Sequence, residues 1–304
     1  AFPYLVEKDI IKLSQLEMKN IFKGVFNESV FKLGSTLFNS TLNIIVSIFI
    51  GTIIVGYYSN YYMIIGQIGI VFGLIMGSIV AGIGNVVATE TAEKAYTLYK
   101  QLDMGVFLVN AFCTICMFQL LNSFVYLWLG HVGREYVLSQ VIVGLICLDF
   151  YLNNSCQVIA TYRTAAGQFK VGRDRQVIAG IINIPLSIGL IKLFGLAGAF
   201  MSPVLCKLFI TVCPFLIDLE KKLFQQTWKV AVRDYFYKFF LTVIISIVVW
   251  FSCFYFHEKT LLFFVIELLL TVLLSIGLLI GTTYRTTEVQ ALLGKFHLPK
   301  RLHL

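Results

Sequence analysis

Residues 57–87 read YYSNYYMIIGQIGIVFGLIMGSIVAGIGNVV, an apolar run with no charged side chain. About 20 apolar residues in a helix cover the roughly 30 Å hydrocarbon core of a bilayer, so this run predicts a membrane-crossing helix. Seven further runs have the same character, at 26–50, 105–129, 137–161, 176–193, 197–217, 236–256 and 260–284. The hydrophobic fraction of 58% and mean hydropathy of +0.84 lie outside the range of a soluble domain. The expected fold is an all-α polytopic membrane protein with about eight transmembrane helices.

The net charge of +8 would suit a nucleic-acid binder if it were spread over a soluble surface. Its distribution excludes that. Nineteen of the 24 Lys and Arg residues fall in one alternate set of loops and in the two tails; Arg134, Lys192 and Lys259 fall in the other set, and Lys32 and Lys207 lie within spans. The positive-inside rule then predicts both termini in the cytoplasm, in keeping with an even number of spans. The expected partner of the basic loops is membrane lipid, not nucleic acid.

The loops carry little chemistry. Cys113, Cys116, Cys147, Cys156, Cys206, Cys213 and Cys253 all fall in apolar runs and read as small buried hydrophobes. His131, His257, His297 and His303 show no metal-ligand spacing. Hydrolase, zinc-protease and P-loop motifs are missing. We therefore expect no enzyme, cofactor or metal.

The chain opens with Ala1 and shows no signal peptide, which suggests a fragment lacking an upstream portion. Residues 1–25 are expected as a cytoplasmic interfacial helix, with Ser14 and Glu17 forming a capping box. Residues 218–235 mix apolar and basic side chains and read as a cytoplasmic amphipathic linker; 285–304 form a polar cytoplasmic tail. Gly69, Gly73 and Gly77 repeat every four residues and predict close helix packing, and Tyr57, Tyr58, Tyr61 and Tyr62 read as an aromatic belt.

Function has to come from polar residues inside the spans, where they are expensive. In the first span Glu28, Lys32, Thr36, Asn39, Ser40, Asn43 and Ser47 fall on one helical face, predicting a water-lined cavity. A local Glu28–Lys32 pair is the plainer alternative for those two groups. In the fourth span Asp149, Asn153, Gln157 and Thr161 form an i,i+4 ladder beside Asn154 and Ser155, and Arg163 marks its cytoplasmic end. In the sixth, Pro203 lies one turn before Lys207 and frees the carbonyl four residues before itself. Lys207 either attracts an anionic substrate or pairs with a fixed acid such as Asp149. Glu267 in the last span suggests a helix–helix contact.

These stretches resemble a family. IFK (21–23), NSTLNIIVS (39–47), VGYYSNY (55–61), GNVVATE (84–90), WLG (128–130), YRTAAG (162–167) and KLFGLAG (192–198) are similar, in order, to bacterial Wzx-type polysaccharide flippases. Those flippases belong to the multidrug/oligosaccharidyl-lipid/polysaccharide exporter superfamily. The resemblance implies a six-helix C-lobe at 26–217, two additional helices at 236–284, a missing N-terminal lobe, and a place in the bacterial cytoplasmic membrane. It implies a lipid-linked oligosaccharide substrate, usually on an undecaprenyl pyrophosphate carrier, moved by alternating access. Many relatives are expected to carry acids where this chain has Leu42 and Thr164, which leaves Asp149 as the ion-coupling candidate. Lys32, Arg163 and Lys207 are assigned to the pyrophosphate or acidic sugars, and Asn39, Asn43, Asn153 and Gln157 to sugar hydroxyls. A drug or organic-cation antiporter of the same superfamily, or a membrane-embedded polysaccharide polymerase, is the alternative.

Overall fold

A computed structural model describes residues 14–167, 169, 172–224, 226–253 and 260–297. Residues 1–13 of the expected interfacial segment, Lys170, His257, Lys259, and the tail from 298 onward lie outside them. The described chain runs as α1 (Gln15–Phe49), α2 (Thr52–Thr89), α3 (Ala92–Leu129), α4 (Gln140–Ala165), α5 (Arg173–Phe194), α6 (Leu196–Leu219), α7 (Trp228–Cys253), α8 (Leu261–Thr283) and α9 (Thr287–His297). Among the described residues, seven helices, α2 to α8, are long and apolar enough to cross a membrane. The chain is thus an all-α multi-pass membrane protein.

Helix α1 corrects the simple count of eight. Its 35 residues suffice in length, but its polar stripe dilutes the apolar character that the other seven show. It nevertheless lies in the bundle. Its contacts with α5 advance together along both chains, Asn27 with Arg173, Gly34 with Val177, and Phe38 with Gly180, so the two helices run parallel. They approach closely because neither Gly34 nor Gly180 carries a side chain; a Cβ on Gly180 would lie 3.5 Å from the Gly34 carbonyl oxygen.

Local signals in the sequence fix the ends. The Ser14 hydroxyl accepts from the Glu17 N–H at 3.2 Å and the Ser14 N–H donates to Glu17 at 2.8 Å, closing the capping box. Thr91 caps α3 with its hydroxyl alone, which accepts from the Lys94 N–H at 3.4 Å. The α5–α6 hairpin turns at Gly195, whose φ of 57° suits glycine, and closes over Gly198, where an added Cβ would lie 2.0 Å from the Leu190 carbonyl oxygen. Four residues beyond Pro203, α6 widens into a π turn over Lys207–Val212.

Helices α1, α5, α6, α4 and α2 pack in that order, and α1 meets α2 to complete a ring. Helix α3 packs outside α4 and α2, and the C-terminal helices α7 and α8 pack on α3, with α7 also meeting the end of α6 and the outer face of α4. Glu267 of α8 accepts a hydrogen bond from Gln119 of α3, the helix contact expected of it.

Two expectations fail here. Gly69, Gly73 and Gly77 have no packing partner among the described residues: a Cβ on any of them would meet nothing within 4 Å there. The tyrosines do not form a belt. Tyr58 and Tyr61 are fully buried, and Tyr61 donates to Asn122 at 2.6 Å while accepting from the Leu138 N–H at 3.0 Å. A buried phenol needs a partner, and these hydroxyls find one across helices rather than at a headgroup.

Candidate functional site: a polar cavity inside the ring

The ring encloses a cavity of about 530 Å³ between α1, α2, α4 and α6. Its amides and charges come from three helices, and α2 adds hydroxyls. Asn39 and Asn43 enter from α1, and Asp149, Asn153 and Gln157 from α4, because i,i+4 spacing puts each set on one face. Lys207 enters from α6 at the start of the π turn. The apolar wall includes Phe38, Leu42, Ile65 and Phe150.

Lys207 Nζ lies 2.8 Å from Asp149 Oδ1, and 5.5 Å from the centre of the Phe38 ring. The ammonium therefore has a fixed acid as neighbour, the second of the two partners weighed for it. The angle is poor for a hydrogen bond, so Asp149 Oδ1 is held by charge alone. Among the described residues lining the cavity, Asp149 is the one acid and Lys207 the one base, leaving the cavity neutral as a whole. Around them lie amides with hydrogen-bonding capacity to spare. Asn43 accepts from the Tyr58 hydroxyl at 2.7 Å, and Gln157 donates to Asn154 at 2.9 Å, while the Asn154 amide nitrogen is buried with no acceptor. Asn39 and Asn153 are exposed towards the opening.

Lys32 and Arg163 fall outside this cavity. Arg163 is buried, bonded to Glu28 and stacked 4.2 Å from the Phe31 ring. It ties the end of α4 to α1. Glu28 therefore pairs with Arg163 rather than with Lys32, because α4 packs its cation into the groove where the i,i+4 neighbour only reaches solvent. Lys32 is exposed in a separate groove at the cytoplasm-predicted end of α1, with Lys23, Glu28 and Phe169, and has no ion-pair partner among the described residues. Thr164 is exposed and bonded to the Ala160 carbonyl, whereas Leu42 lines the cavity.

Tyr58 and Tyr62 line the cavity too and were not expected there. Their four-residue spacing was readable, but a tyrosine near a helix end reads first as an interfacial anchor. No group of His, Cys, Asp or Glu able to hold a metal occurs among the described residues. Comparison with family models, curated proteins and solved structures returned no match.

Proposed function

We propose that the chain is the C-lobe of a transporter that moves a lipid-linked oligosaccharide across the bacterial cytoplasmic membrane. The observation that carries this reading is a cavity walled by amides and tyrosines inside a bundle of apolar helices. Amides offer donors and acceptors together, which suits neutral hydroxyls; a site for a hydrophobic cation would be richer in net negative charge. Here the single acid is already matched by Lys207. In this account Asn39, Asn43, Asn153 and Gln157 bind sugar hydroxyls. Lys207 offers its charge to the pyrophosphate by exchanging Asp149 for it, and Arg163 holds α4 to α1 instead of touching substrate. The exposed polar face of α1, with Lys32 at its end, is where a second lobe would close the pathway.

The test is retention of a polyprenyl-pyrophosphate oligosaccharide by the purified protein, read by native mass spectrometry against the sugar-free polyprenyl phosphate and a lipophilic cation. The oligosaccharide form should be retained best, and Asn39→Ala with Asn153→Ala should remove that preference. Preferential retention of the cation, or no effect of the double substitution, would contradict the proposal.

A further inference from the structure

A buried acid without an ion-pair partner among the described residues lies outside the cavity. Glu220 begins the last turn of the α6 extension, Glu220–Phe224, just beyond the membrane-crossing part of α6. It is fully buried, and among the described residues neither carboxylate oxygen makes a well-formed hydrogen bond, the Tyr96 hydroxyl being the donor that acts on it. A buried, unpartnered carboxylate is expensive, whereas the neutral acid costs far less.

The surroundings explain why no cation is bound to it. From α3 come Tyr96, Tyr99, Lys100 and Asp103, from α7 Asp234 and Lys238, and from α4 Tyr162. Lys238 is held between Asp103 at 2.6 Å and Asp234 at 3.1 Å. Lys100 is held only loosely, 3.6 Å from Asp234. On the same turn as Glu220, Lys221 is exposed and turned over the Trp228 ring. The two cations that reach the cluster thus serve Asp103 and Asp234.

We propose that Glu220 is a proton-binding site, and that its protonation decides whether Lys100 pairs with Asp234 on α7 or with Glu220 on α6. The loosest contact in the cluster is the one that must move, and the move changes which helix α3 is tied to. The described geometry is the protonated state, with Lys100 on Asp234. Burial pushes the Glu220 carboxyl up to about 7, with Asp103 and Asp234 adding to the rise and Lys100 and Tyr96 opposing it. The site therefore titrates near neutrality, and it does not depend on what the cavity carries.

The sign of the stability effect follows from linkage. A carboxyl bound more tightly to its proton in the folded state stabilises the fold at low pH. That contribution falls as pH rises from the ordinary carboxyl range through about 7. Thermal unfolding of the full chain in detergent, from about pH 5 to about pH 9, should show a midpoint that falls with pH. In Glu220→Gln, a neutral isostere of the protonated acid, that fall should be absent and the midpoint at high pH should exceed the parent's. A parallel fall in both proteins, or a lower midpoint for Glu220→Gln at high pH, would overturn the proposal. Infrared titration of the parent and of Asp234→Asn supplies an independent reading. The parent should show a carboxyl C=O band titrating near neutrality, and freeing Lys100 from Asp234 should move that titration to lower pH. An absent band, or one that Asp234→Asn leaves in place, would equally overturn it.

Discussion

Lys207 and Asp149 form a pair whose removal in steps separates a structural role from a binding role. Their side chains are 9% and 16% exposed and their charged atoms lie 2.8 Å apart. At that distance, with an effective dielectric of about 20, the attraction is about 6 kcal/mol. Most of this is offset by desolvation, so the pair adds little beyond a neutral pair of the same shape. Removing one partner is another matter, because it strands a charge and costs about 3–5 kcal/mol. Lys207→Ala should therefore lower the thermal stability and the membrane abundance of the protein. Asp149→Asn alone should do the same, leaving the ammonium unmatched. The double variant should recover most of the loss, to within about 1 kcal/mol of the parent after allowance for the lost lysine stem. Thermal denaturation of the four proteins in detergent, read as a double-mutant cycle, gives the coupling directly. Additive losses, with coupling below about 0.5 kcal/mol, would refute the reasoning and show both charges satisfied by water in the cavity.

Arg163→Ala should destabilise by a similar margin of about 3–5 kcal/mol, and Glu28→Gln should do so more mildly since a neutral acceptor remains; equal stability of Arg163→Ala and the parent by denaturation would place Arg163 outside the α1–α4 contact. Gly198→Ala should all but abolish folded protein, because its Cβ would lie 2.0 Å from the Leu190 carbonyl oxygen and 2.8 Å from the Ile191 nitrogen, both backbone atoms that cannot step aside; chromatographic recovery of a monodisperse variant would contradict this. Gly73→Ala should be tolerated within about 0.5 kcal/mol in the same assays, as nothing opposes the new methyl group. External labelling should reach His131→Cys and not Arg173→Cys if the basic loops face the cytoplasm; the reverse pattern would invert the orientation.

Much of the molecule was legible because a helix advertises its faces. Run length located the crossings, the capping box located the start of α1, and i,i+4 spacing put Asp149, Asn153 and Gln157 on the wall they occupy. What was illegible concerns neighbours. Periodicity says that Glu28 and Arg163 each face inward but not that residues 135 positions apart meet, so Arg163 and Lys32 both read as substrate contacts, with a local Glu28–Lys32 pair as the plainer alternative. Periodicity likewise showed the glycine face of α2 without saying that no helix among the described residues covers it. The tyrosines failed for a related reason. Their position near a helix end fits a headgroup anchor, and only tertiary packing reveals that Asn43 and Asn122 supply acceptors inside. Glu220 was hidden by its setting in a basic, amphipathic stretch, where an acid among lysines reads as solvated.

The account stands on water reaching one face of α1 within a bundle that otherwise excludes it. Single cysteines at Thr36, Asn39, Asn43, Leu37 and Ile45, in a background without the seven native cysteines, can be challenged in intact membranes with a small hydrophilic thiol reagent. Asn39 and Asn43 line the cavity and Thr36 continues their face, whereas Leu37 points away from it and Ile45 is buried among apolar side chains. The predicted result is modification at Thr36, Asn39 and Asn43 with protection at Leu37 and Ile45. Equal protection at all five positions would contradict the cavity and leave the polar stripe as a packing surface.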